Sequence, residues 1–205
     1  MKFWQKIPVF FFGLIFPSKI YGKENIPDGG AVLVSNHFMA LDCGFIVKAY
    51  DKDVYFLAKN ELFKNKLFAK LIKSYGAIAI DRQNPDMKSL LAAVRVLKDG
   101  HKLAIYPEGT RNKTGTNELQ EIKGGTVVFA VKAKCPIVPI MLLSKPKPFR
   151  KTKMIIGKPF TLEEFYGQKL TDEVINEMGD IVKRKMIEQQ QILSEITTKK
   201  QKVEK

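Results

Sequence analysis

His37 and Asp42 lie five residues apart in the stretch Asn36-His37-Phe38-Met39-Ala40-Leu41-Asp42. An imidazole takes and returns a proton near neutral pH, and a carboxylate on one ring nitrogen leaves the other free to do so. Five helical steps turn through about 500°, so the pair would not share one face of a regular helix. Contact requires His37 in a loop and Asp42 in the first turn of a following helix. The apolar run Ala31–Ser35 reads as a buried strand, which puts His37 where that strand ends. The pair is then the base and its orienting acid without a protein nucleophile, because neither Ser35 nor Cys43 has an evident partner. The plainer alternative is an exposed histidine beside a helix-capping aspartate.

The elements that must position this pair follow from periodicity. Strands are expected at 54–58, 76–80, 103–106, 136–143 and 153–157, with a shorter one within 21–30. Helices are expected at 45–50, from Lys59 to Ser74, at Met87–Lys98, from Gly124 to Lys134, and from Thr171 to about Glu195, with 197–205 frayed. In the helix after Lys59, Leu62, Phe63, Leu67, Phe68, Leu71 and Ile72 form one apolar face, and Lys64, Lys66, Lys70 and Lys73 the other. In the next, Leu90, Leu91, Val94 and Leu97 should point inward. Alternating strands and helices imply an α/β fold, a central mostly parallel or mixed sheet flanked by helices. In such sheets functional groups gather at the carboxyl ends of strands. Asn36-His37, Lys59, Asp81-Arg82 and Glu108 to Arg111 each follow a predicted strand directly.

These ends supply distinct chemistry. Arg82 and Arg111 carry guanidinium forks suited to phosphate oxygens. Glu108, beside Gly109 and Thr110, could bind glycerol hydroxyls or brace an arginine. A formal net charge of +14 favours an acidic partner. No nucleic-acid motif or aromatic-basic stacking pattern accompanies it, so an anionic membrane surface is preferred to nucleic acid. Two cysteines, Cys43 and Cys135, make no disulfide framework and fit a reducing compartment. Two distant histidines and no cysteine cluster give no metal site.

Residues 1–20 form an N-terminal segment in which twelve uncharged residues separate Lys6 from Lys19. That is short of the roughly 20 a spanning helix needs. Pro8, Gly13 and Pro17 interrupt it, and Lys2, Phe3, Trp4, Lys6 and Lys19 suit a segment lying in the membrane interface or entering one leaflet from the cytoplasmic face, with a helix buried on its own domain as the alternative. No small-residue cleavage site follows, which argues against a signal peptide. Residues 21–160 make the α/β core, with Lys145 to Lys153 as a basic surface loop, and 161–205 a C-terminal helix and basic tail. A base, a phosphate clamp and a membrane-seeking segment together suggest a hydroxyl on a phosphorylated lipid as the nucleophile.

The motifs carry a resemblance. NHFMALD matches the Asn-His-x4-Asp motif of the glycerolipid acyltransferases, and GAIAIDR, YPEGTR and CPIVPI match their further blocks in the same order. From about Tyr21 to Gly157 the chain resembles the lysophosphatidate acyltransferases of that family. The resemblance implies His37 as general base, Asp42 as its orienter, and direct attack of the sn-2 hydroxyl of lysophosphatidic acid on the thioester of acyl-CoA or an acyl carrier protein. No covalent acyl-enzyme and no bound cofactor is involved, and phosphatidic acid is the product. It implies a substrate-binding role for Lys59, Arg82, Glu108, Gly109, Thr110 and Arg111, and an acyl-site role for Val138, Pro139 and Ile140. The departures are Lys66 and Ala69 where the family often has proline and glycine, Lys123-Gly124-Gly125 in place of Lys-x-Gly-Ala, and Tyr106 where phenylalanine is frequent. An acyltransferase for another lysophospholipid or glycerol phosphate acceptor would keep the base and change the clamp, and a non-catalytic basic membrane-binding protein would explain the charge but not the intact His37–Asp42 pair.

Overall fold

The computed structural model describes residues 3–50, 54–80, 87–114 and 116–203. Seven strands form one sheet: β1 (Ser18–Tyr21), β2 (Ala31–Ser35), β3 (Val54–Lys59), β4 (Ala77–Ile80), β5 (Lys102–Ile105), β6 (Ile137–Leu142) and β7 (Thr152–Ile156), in the order β1-β7-β6-β2-β5-β3-β4. All neighbours are parallel except β6 and β7. The sheet is therefore mixed. The β6–β7 connection is too short for the crossover that parallel strands require, so β7 returns antiparallel. The short strand expected within 21–30 instead runs Ser18–Tyr21 as an edge strand paired with β7, inside the segment assigned to the N-terminus.

The helices are α1 (Phe3–Ile15), α2 (Asp42–Tyr50), α3 (Lys66–Ser74), α4 (Met87–Lys98), α5 (Val128–Ala133) and α6 (Asp172–Val203). Period-2 alternation divides the core between the sheet's two faces. Val32, Val34, Leu103 and Ile105 face the side holding α4, α5 and α6. Ala31, Leu33 and Ala104 face the side holding α1 and α2. Helix α6 continues to Val203 where fraying was expected from Thr197, because Met178, Val182, Met186, Leu193 and Thr197 keep one stripe buried. It crosses close to Gly124, where an added Cβ would come 2.0 Å from the Ile175 carbonyl oxygen.

Two helices differ from the periodicity reading. The stretch after Lys59 is not one helix: β3 includes Lys59, a 3-10 turn covers Asn60–Phe63, and α3 starts after Asn65, which caps Leu67 and Phe68 N–H at 3.0 Å each. Its apolar row turns outward, with Leu67 80% exposed and Leu62, Phe68 and Leu71 also exposed, while Ala69 is the residue it buries. In α4, Leu91 is exposed and the buried positions are Ser89, Ala93 and Leu97. The smaller Ser89 side chain turns in and donates to the Ala79 carbonyl at 2.9 Å.

Helix α1 lies across α2. Phe12 packs edge-on against Phe45 at 5.0 Å and beside Phe16 at 5.1 Å. Gln5 donates to the Ser74 carbonyl and accepts from the Tyr75 hydroxyl, which ties α1 to the end of α3. The opposite side of α1 leaves Ile7, Phe10, Phe11, Leu14 and Ile15 exposed. Among the described residues no helix is long and apolar enough to cross a membrane.

Candidate active site

The site sits at the carboxyl edge of the sheet, in the loop between β2 and α2. Asn36 fixes where that loop leaves the sheet. Its side-chain amide donates to the Leu142 carbonyl and accepts from the Leu142 N–H, both at 2.9 Å. The side chain thereby imitates one more ladder residue between β2 and β6.

One residue on, His37 Nδ1 lies 2.9 Å from Asp42 Oδ2. Asp42 is the first residue of α2 and only 1% exposed, whereas the His37 side chain is 12% exposed. The same Oδ2 accepts the Phe38 N–H at 2.6 Å and the Met39 N–H at 2.8 Å. An oxygen that accepts two amide protons receives a third from the ring, so Nδ1 carries the hydrogen and Nε2 presents its lone pair. Among the described residues Nε2 has no hydrogen-bond partner. Tyr106 stacks on the imidazole with ring centroids 4.0 Å apart and planes at 16°. Its hydroxyl is buried without a hydrogen-bond partner, as is Asp42 Oδ1. Burial, then the neighbouring Cys43 and Asp42, hold that phenol well above its usual range. It is a neutral plate behind the histidine.

The backbone of His37 is held as firmly as its ring. Its N–H donates to Glu108 Oε1 at 3.0 Å, and its carbonyl accepts the Asn112 N–H at 2.6 Å. Glu108 Oε2 accepts the Gln120 N–H at 3.2 Å. The sequence leaves Glu108 open between a substrate ligand and a structural brace; here it is buried and braces two backbone loops. Burial raises its carboxyl above the usual range, against the lowering effect of the two N–H donors. A raised folded pKa means its contribution to stability is complete at low pH and is lost as pH rises through the folded value. Glu108→Ala is expected to leave two N–H groups unpaired, cost about 1–3 kcal/mol, and lower kcat more than it raises KM. Thermal unfolding with steady-state kinetics checks both.

The remaining predicted residues divide. Gly109 adopts φ 70°, and the Lys123 side chain crosses it, with Cδ 3.1 Å from where a Cβ would stand. Thr110 and Arg111 are exposed at the same edge, next to the Asn112–His37 bond. Lys59 ends β3 on this edge and pairs with Glu61 at 3.3 Å in solvent. Arg82 lies outside the described residues. Val138, Pro139 and Ile140, expected to shape an acyl site, are buried within β6 beside β2. Their packing is that of a core strand supporting Asn36. Residues to which the sequence reading gives no role in the site are Tyr106, Asn112 and Lys123, and Asn36, part of its motif, is given none of its own.

Among the described residues neither Ser35 nor Cys43 is set up as a nucleophile beside His37. Ser35 is buried and its hydroxyl donates to the Asn36 carbonyl at 3.2 Å. Burial, with Asp42 beside it, pushes the Cys43 thiol up to about 11. Among the described residues no group of three or more His, Cys, Asp and Glu could hold a metal ion.

The His37–Asp42 pair thus presents a ring nitrogen able to take a proton at the carboxyl edge of a mixed sheet. The family model described as Acyltransferase matches residues 17–143, and the chain belongs to that family. It is 35% identical over 156 residues to the 1-acyl-sn-glycerol-3-phosphate acyltransferase of Bacillus subtilis (strain 168), a match covering 72% of this chain and 75% of that one. The enzyme of the same name from Limnanthes douglasii is 31% identical over 171 residues, covering 82% of this chain and 60% of the relative, so this chain spans about three-fifths of its length. The crystal structure of the 1-acyl-sn-glycerophosphate (LPA) acyltransferase PlsC from Thermotoga maritima has the same fold, with a TM-score of 0.67 and 25% identity over 92% of this chain and 83% of that one.

Proposed function

We propose that this protein transfers a fatty acyl group from acyl-CoA or an acyl carrier protein to the sn-2 hydroxyl of 1-acyl-glycerol-3-phosphate, giving phosphatidic acid. The observation that carries the reading is the His37 Nδ1–Asp42 Oδ2 contact, which leaves Nε2 as a base at the strand's end. Nε2 takes the hydroxyl proton as the oxygen attacks the thioester carbonyl. Collapse of the tetrahedral intermediate breaks the C–S bond, and the departing thiolate receives the proton back from the imidazolium. Asp42 stabilises that imidazolium between the two transfers. With no acyl-enzyme, the kinetics are sequential rather than ping-pong.

Arg111, Lys123 and Lys59 are the cations offered to the acceptor's phosphate, with Arg82 a fourth candidate from the strand-end pattern. Arg111→Ala is expected to raise KM for the lysophosphatidate about tenfold or more with little change in kcat. A change confined to the thioester's KM would place this arginine with the donor. The reaction takes place at an anionic membrane surface on its cytoplasmic face, met by the exposed row of α1 and the outward row of α3, and two free cysteines suit that compartment. A thiol-release assay with purified protein, crossing both donors with several lysophospholipids, tests the whole assignment. Thiol release that is indifferent to the acceptor's phosphomonoester would sink the choice of acceptor, and none with any acceptor would sink the enzyme.

A further inference from the structure

The loop between β6 and β7 carries a side chain that acyl transfer does not use. Phe149 is 79% exposed, and its φ of 57° lies in the left-handed region that bulky residues seldom adopt. Its backbone is nevertheless clamped. The Phe149 N–H donates to the carbonyl of Ile15, the last residue of α1, at 2.6 Å. The Thr152 N–H donates to the Pro17 carbonyl at 2.8 Å, and the Arg150 N–H closes a turn on the Lys147 carbonyl at 3.2 Å. Pro146 is buried. The fold thus fixes the loop against the end of α1 in a costly conformation and leaves an aromatic ring in solvent, where it gains nothing from burial in its own chain.

The surroundings indicate what would cover the ring. Lys145, Lys147, Arg150 and Lys151 are exposed around it, and no acidic residue occurs from Ser144 to Leu162. Beyond the Phe149–Ile15 bond the apolar surface continues through exposed Ile15, Leu14, Phe11 and Phe10. An apolar ring inside a collar of cations complements an anionic bilayer, whose phosphates pair with the cations while its acyl boundary accepts the ring. An apolar protein partner would leave those cations unmatched. We infer that the 145–153 loop is a lipid anchor in its own right: Phe149 enters the headgroup–acyl boundary of an anionic membrane beside α1 while its lysines and Arg150 engage lipid phosphates. The inference rests on the membrane-surface part of the proposed function and assigns it a second contact.

Co-sedimentation of the full chain with phosphatidylcholine vesicles, with and without phosphatidylglycerol, tests it. Phe149→Ala is expected to lower the partition coefficient on the mixed vesicles about tenfold. Replacing Lys147, Arg150 and Lys151 by glutamine is expected to lower it about a hundredfold there and little on phosphatidylcholine alone. Phe149→Trp in a Trp4→Phe background should shift its emission to the blue when mixed vesicles are added. Thermal unfolding establishes that each variant is folded. Partition of Phe149→Ala within twofold of the parent, or an indole emission unmoved while the protein is vesicle-bound, would overturn the anchor and turn attention to a protein partner for this loop. Partition needs no turnover, so the two readings fail separately. Normal thiol release without insertion of Phe149 sinks the anchor alone, and insertion without thiol release sinks the acyltransferase reading alone.

Discussion

His37→Ala is expected to lower acyl transfer by about 10²–10⁴-fold, the range a positioned general base supplies, with KM for both substrates nearly unchanged. The loss falls on kcat because the imidazole acts as charge develops on the attacking oxygen. The fold should survive. The backbone bonds of His37 to Glu108 and Asn112 do not involve the ring, and its replacement removes one stacked contact with Tyr106 and one donor to Asp42. That is a stability cost of about 1–2 kcal/mol, readable by thermal unfolding. Near-parental turnover in a folded variant would remove the base assignment.

Asp42 yields the second large effect, and its substitutions separate charge from placement. In Asp42→Asn the amide oxygen can occupy the Oδ2 position and keep the Phe38, Met39 and His37 donors, so the ring keeps its tautomer. What is lost is the negative charge beside the transient imidazolium, and kcat is expected to fall by about 10²-fold or more. Asp42→Ala removes the acceptor as well. It strands the buried Phe38 N–H, at about 1–3 kcal/mol, and the half-buried Met39 N–H, and frees the ring to turn, so turnover should fall to the level of His37→Ala. Because the two residues act as a unit, the double alanine variant should be no slower than either single one. A multiplicative loss in the double variant would mean that the aspartate acts independently of the histidine.

Much of this site was legible because its reasoning was local. Ala31–Ser35 is apolar at every position before Ser35, so it could be placed in the sheet, and a five-residue step from loop to helix start was enough to bring carboxylate to ring. The other supports come from far along the chain. Glu108 is 71 residues from the N–H it accepts, and Leu142 is 106 residues from Asn36. Tyr106 reaches the imidazole because β5 lies beside β2 in the register Val34 to Ile105, which no periodicity contains. Periodicity also gives an amphipathic helix its stripe but not the direction the stripe faces. In α3 the apolar and basic faces are both legible in the sequence, but that the leucines point outward is not. β1 is four residues with no pattern of its own, held by its pairing with β7.

The doubled bond between the Asn36 amide and Leu142 has a consequence for how errors in folding are tolerated. A slip of one residue between those strands would turn every side chain of β2 to the opposite face and leave that amide without its match. The chain that assembles its central pair correctly thereby also aims its proton acceptor correctly. A slipped molecule would lose stability and the placement of its base together, so the same bonds guard both.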